Sequence, residues 1–146
     1  MYTLRTATAS DAAAIRRLIH QVQINPLGLD WRRFLLAVTL DGELVGCGQI
    51  KPHGDGTQEL ASIAVVPSWR GRGVARAIIE RLLAGHPGVL YLTCRASMGP
   101  LYEKFGFRSL SGDEMPPYFR RLNRLARALG ALRLVHEDLL VMKRDA

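Results

Sequence analysis

The chain is poor in cysteine: its 146 residues include only Cys47 and Cys94. Two are too few for a disulfide framework, and neither belongs to a paired Cys/His spacing, which leaves no case for zinc or iron–sulfur chemistry. Both lie in strand-like segments and read as small buried thiols kept reduced. Long apolar runs are absent as well, none approaching the roughly 18 residues that a membrane span needs. The opening MYTLRTATASDAAAI lacks a basic segment followed by an apolar one, the mark of an export signal. A cytoplasmic protein with no membrane partner is therefore expected. Acidic residues are in deficit, 13 against 20 Lys and Arg, giving a formal net charge of +7. Such a surface attracts anions, but charge alone does not choose between a nucleic acid and a small polyanion. There is no low-complexity tract, internal repeat or linker, and 48% of the residues are hydrophobic. A single globular domain over residues 1–146 follows.

The most informative stretch is Arg70-Gly71-Arg72-Gly73-Val74-Ala75, where an apolar run ends and a helical pattern starts. Before it stands ELASIAVVP, residues 59–67, a strand-like run closed by Pro67; after it stands VARAIIERLLAG, residues 74–85, with Ala75, Ile78, Ile79 and Leu82 at helical spacing. Strand, glycine turn and helix start follow in that order. Gly71 and Gly73 let the backbone approach a ligand, and the first helical turn offers amides without internal partners. Arg70, Arg72 and Arg76 add full charges to the partial charge of the helix terminus, so a phosphate or pyrophosphate is the natural occupant. Neither the dinucleotide fingerprint nor the P-loop fits, since position 76 is Arg and no Gly-Lys-Ser/Thr ending is present.

Elsewhere the pattern is that of a mixed α/β chain. YTLRTA, residues 2–7, alternates as a first strand; Thr8 or Ser10 can cap a helix from near Asp11, with Ile15, Leu18, Ile19 and Val22 as its apolar stripe. That helix gives way at Asn25-Pro26, and a turn around Trp31 follows with Asp30 as its cap. FLLAVTL (34–40), Asp41-Gly42 and ELVGCGQIKP (43–52) form the clearest hairpin, and Gly54-Asp55-Gly56 turns the chain into the strand that begins near Gln58. VLYLTC, residues 89–94, reads as a buried strand parallel to that one through a right-handed crossover. A short helix ending at Gly106, a further strand, a basic helix at about 118–131 and a last strand EDLLVMK complete the chain. In the basic helix Leu122, Leu125, Ala126 and Leu129 form one face, with Arg120, Arg121, Arg124 and Arg127 around the others. It reads as a covering helix with a solvated basic face, the other reading being a nucleic-acid or membrane surface.

Arg70-x-x-Gly73-x-Ala75, after Ile63-Ala64-Val65, resembles the acyl-CoA loop of the GNAT acetyltransferase superfamily. Tyr102-Glu103-Lys104-Phe105-Gly106-Phe107 resembles the Tyr-x-x-x-Gly-Phe segment common in that family, and the likeness covers essentially residues 1–111. The resemblance implies one mixed sheet of about six to seven strands, mostly antiparallel with a parallel central pair, flanked by four to five helices. It also implies acetyl-CoA as co-substrate with no metal. The main chain of Ile63, Ala64 and Val65 would pair with the pantetheine arm, and Arg70, Gly71, Arg72, Gly73, Val74, Ala75 and Arg76 would hold the phosphates.

Acetyl transfer to an amine needs a held thioester, a neutral amine and protonation of the leaving thiolate. By the resemblance Tyr102 is the general acid; its alternative is a ring packed on the sheet with its hydroxyl satisfied locally. Glu59, where many members carry a Glu, is the candidate base, set against a solvated strand-end residue. Period-two alternation puts Glu59 on the side of Ile63 unless a bulge intervenes. Arg95 stands where many members place an Asn that touches pantetheine, a departure from the pattern. Cys94 lacks a base in sequence, so direct attack by the amine is the simpler mechanism. His20, His53, His86 and His136 are scattered and read as surface or core residues. Trp31 plugs the core or, by the resemblance, borders the acceptor.

The expected activity is N-acetyl transfer to an amine, small molecule or protein, in a ternary complex. The rival is a non-catalytic acyl-CoA-binding module that engages nucleic acid or a protein through the basic helix. Nothing in the sequence opposes a homodimer.

Overall fold

The computed structural model describes residues 1–132 and 138–146. His136 and the first residue of the expected final strand, Glu137, lie outside the described residues. The strands are β1 (Tyr2–Thr6), β2 (Phe34–Thr39), β3 (Leu44–Pro52), β4 (Gln58–Val65), β5 (Leu90–Arg95), β6 (Arg108–Ser109) and β7 (Leu139–Arg144). The helices are α1 (Ala12–Gln21), α2 (Val74–Ala84), α3 (Gly99–Glu103) and α4 (Pro117–Ala131). Strand order is β1-β2-β3-β4-β5-β7-β6, mostly antiparallel, with one parallel pair that sets Glu59 of β4 opposite Tyr91 of β5. This is the expected mixed α/β class.

The chain forms two compact units, one of Met1–Lys51 with Leu60–Pro87, the other of Pro52–Glu59 with Gly88–Ala146. In the first, α1 turns Ile15, Leu18 and Ile19 onto Phe34, Leu36, Val38, Cys47 and Ala64, as the stripe in its sequence requires. The opposite face of the strands takes α2 through Val74 and Ile78, packed with Leu35, Ala37, Val45 and Val65. Contact there is close because β3 carries glycine: a Cβ on Gly48 would lie 2.6 Å from Ile63 Cδ1 and 2.8 Å from Ile78 Cγ2. Gly48→Val is expected to lower stability by about 1–3 kcal/mol through overpacking, read as a lower urea midpoint at unchanged slope.

In the second unit β7 lies between β5 and β6, pairing antiparallel with both. Leu110, Met115, Phe119 and Val141 form its core, with Tyr91 and Tyr118 against it. Helix α4 departs from the sequence reading at one position, for Leu125 is 56% exposed. At 100° per residue it falls at the margin of the stripe through Phe119, Leu122, Ala126 and Leu129, and so faces water. Among the described residues no helix is long and apolar enough to cross a membrane.

Candidate functional site

The turn before α2 has the geometry its glycines suggest. Pro67–Trp69 make one 3-10 turn, and Gly71 and Gly73 follow with φ of 79° and 80°. Other L residues occupy that left-handed region only at a cost of about 1–2 kcal/mol. Gly73 caps the helix, and the first helical bond runs from Ala77 N–H to the Gly73 carbonyl at 3.0 Å. The amides of Val74, Ala75 and Arg76 precede it and are left for an outside acceptor. The Arg72 guanidinium lies over the Trp69 ring at 4.6 Å, and Trp69 meets the edge of Tyr2. Arg70, Arg72 and Arg76 are all exposed. Donors, helix terminus and three cations thus sit at one corner of the first unit, which suits a polyphosphate.

Just upstream, Ala64 and Val65 are buried and Ile63 half-buried. The ladder between β4 and β5 holds the pair Glu59 and Tyr91. Regular alternation along β4 breaks at Ser62, whose φ is 59°. Its carbonyl accepts from Cys47 Sγ at 3.5 Å, and its hydroxyl accepts from Gln49 Nε2 at 2.8 Å.

The second unit holds Glu59 and Tyr102. Glu59 is not the solvated strand-end residue of the alternative reading: it is 6% exposed, with Oε1 2.7 Å from His53 Nε2. The imidazole is itself largely covered, stacked on Tyr118 with ring centroids 3.6 Å apart and edge-on to Phe119. Asp55 in the same hairpin accepts the Tyr118 amide at 3.1 Å, which anchors the start of α4 over this pair. His53 is the site residue that sequence reasoning missed. Helix-start and hairpin signals were legible separately, but no periodicity links them.

Tyr102 is buried, its ring edge-on to Phe107. Burial, with a smaller contribution from Cys94, pushes its phenol up to about 12. Its hydroxyl has no hydrogen-bond partner among the described residues. Arg95, at the end of β5, is exposed. Trp31 packs half-buried against the α1 core, which agrees with the plug reading. His20 is exposed and His86 half-buried.

Burial raises the Cys47 thiol to about 12 and the Cys94 thiol to about 11. With the thiolate as the reactive form, about one Cys94 in a thousand is ionised at pH 8. Ellman's reagent at pH 8 should therefore leave the native protein essentially unmodified over minutes and titrate both thiols in denaturant. Cys94 Sγ contacts Met142 Sδ at 3.9 Å and has no base beside it among the described residues, which argues against an acyl-cysteine.

Known structures share this fold. N-acetylglutamate synthase from Neisseria gonorrhoeae, complexed with coenzyme A and N-acetyl-glutamate, aligns with a TM-score of 0.73 and 20% identity, over 99% of this chain and 35% of that one. This chain thus spans about a third of that enzyme's length. Rv2747 from Mycobacterium tuberculosis, complexed with CoA, aligns at 0.72 and 21% identity over 99% of both chains. The ribosomal-protein-S18-alanine N-acetyltransferase from Escherichia coli aligns at 0.69 and 20% identity, over 99% of this chain and 93% of that one. No curated protein matches the sequence. The family model for the acetyltransferase (GNAT) domain matches residues 30–109, more than half of the chain, which therefore belongs to the GNAT acetyltransferase family.

Proposed function

We propose that residues 1–146 act as one acetyltransferase domain that passes an acetyl group from acetyl-CoA to an amine nitrogen by direct attack in a ternary complex. The observation that carries this reading is the turn at residues 70–76, with left-handed Gly71 and Gly73, free first-turn amides and three exposed arginines. Coenzyme A offers such a turn a pyrophosphate. Its presence in two of the similar structures, the N-acetylglutamate synthase and Rv2747, supports the same ligand here.

In the transfer the amine nitrogen bonds to the acetyl carbon as the carbon–sulfur bond breaks, and one proton passes net from nitrogen to sulfur. Glu59 receives the amine proton directly or through water, with its carboxylate held at 2.7 Å by His53. Tyr102, a phenol at neutral pH with its hydroxyl unclaimed among the described residues, donates to the departing sulfur. Since a thiol near pKa 8.5 is the stronger acid, that hydrogen bond acts mainly by stabilising charge as it develops on sulfur. Neither role needs a metal. Helix α4 has work inside the fold, seating Tyr118 on His53, which supports the covering role over a nucleic-acid surface.

Isothermal titration with acetyl-CoA and CoA, followed by thiol-release assays over an amine panel, tests the reading. Binding with thiol release by at least one amine is the expected result. Binding without any turnover would favour the acyl-CoA-binding module, and no binding at all would remove both.

A further inference from the structure

In the first unit a second polar cluster lies apart from the glycine turn. Strand β3 buries two polar side chains two residues apart, Gln49 at 0% exposure and Lys51 at 6%. Gln49 is fully used: Nε2 donates to the Gly28 carbonyl at 3.2 Å and to Ser62 Oγ at 2.8 Å, and Oε1 accepts from Arg33 Nε at 3.1 Å. Arg33 Nη2 also donates to the Gly28 carbonyl at 3.1 Å, and its Nη1 lies 3.6 Å from Asp30.

Lys51 differs. Its Nζ donates to the Leu27 carbonyl at 3.3 Å, and among the described residues no carboxylate lies within 4 Å of it. An ammonium has three donors, and a buried cation is costly unless an anion or several acceptors meet it. One long bond to a neutral carbonyl is a poor match. Lys51 and Arg33 thus converge on adjacent carbonyls, those of Leu27 and Gly28, in a segment whose own residues are exposed. The approach is tight at Gly28, where a Cβ would sit 2.8 Å from Lys51 Cδ and 3.2 Å from its Nζ.

We propose that Lys51 and Arg33 form a carboxylate subsite, in which the two oxygens of a carboxylate replace the Leu27 and Gly28 carbonyls, and that the amine acceptor carries this carboxylate. The acceptor is then an amino acid or similar amino-carboxylate. A carboxylate supplies the charge Lys51 lacks and two oxygens for two separate cations. Gln49 and Ser62 hold Arg33 in line from behind. This assignment deepens the acetyl-transfer reading and rests on it.

The test compares amino acids with their own primary amides, such as leucine with leucinamide and lysine with lysinamide, in the thiol-release assay. The carboxylate should be preferred at least 10-fold in kcat/KM. Lys51→Met should bring the ratio within each pair close to one, and Lys51→Arg should restore part of it. Circular dichroism would confirm that both variants are folded. A wild-type ratio near one overturns the subsite, as does a Lys51→Met variant that slows acid and amide alike, the signature of a lysine that only straps the 27–28 segment. Thiol release from no amine would instead sink the transferase reading. The subsite is then decided by calorimetric binding of N-acetyl-leucine against N-acetyl-leucinamide in the presence of CoA. Binding of the acid alone, lost in Lys51→Met, supports it; equal binding or none overturns it.

Discussion

Tyr102→Phe should bind acetyl-CoA as the wild type does and turn over at least about 100-fold more slowly, as found when one preorganised donor is removed from a developing charge. The change deletes one oxygen and leaves the ring against Phe107, so the fold should not suffer. Because the hydroxyl makes no hydrogen bond among the described residues, its loss orphans no protein partner. Stability and catalysis are thereby separated. The phenol is held up to about 12, chiefly by burial, so it stays protonated across the neutral and mildly alkaline range. A group that acts while protonated loses its function only as pH rises through its own pKa. The kcat profile should thus show no descending limb from Tyr102 up to about pH 10, where an unperturbed phenol would already be half ionised. Unaltered turnover in Tyr102→Phe, with normal binding, would remove this residue from the chemistry.

Phe119→Ala should destabilise the protein by about 3–5 kcal/mol, the usual cost of emptying a buried aromatic site. Phe119 is fully buried, stacked on Tyr91 at 5.2 Å and edge-on to both His53 and Tyr118. The transition temperature should fall by roughly 10 °C, followed by circular dichroism. The variant should also lose activity below its melting point, because the same ring backs His53 and through it Glu59. Phe119→Leu keeps much of the volume and should recover most of the stability. If Phe119→Ala melted with the wild type, the core of the second unit would not be centred where its burial places it.

Much of this was legible in the sequence because the signals were local. The 3.6-residue stripe of α1, the Asp41-Gly42 turn with Gly42 at a φ of 84°, and the Asp30 side chain accepting from Arg32 N–H follow from neighbours in the chain. The glycine turn before α2 belongs to the same class. What escaped depends on distance in sequence or on an exception to a local rule. Glu59 and His53 face each other across a hairpin and are roofed by Tyr118, 59 residues beyond Glu59 and recognisable only in three dimensions. Polar residues in an alternating strand ordinarily look outward, and so nothing marked Gln49 and Lys51 as buried. Leu125 shows the converse, an apolar residue at a helical spacing that just misses the buried face.

The position of β7 between β5 and β6 also bears on how the second unit folds. Strand β6 has only two residues, and its ladder is formed with β7. That partner, which is also the antiparallel neighbour of β5, follows α4 in the chain. Until Leu139–Arg144 slides into the gap, a polypeptide that has already passed Phe119 has unpaired backbone on both sides of the opening. Folding of the second unit should therefore be late and all-or-none, with β7 as its closing step. A strand-breaking proline at Val141 would be expected to arrest it with β5 and β6 unjoined, a state inviting edge-to-edge association with other chains.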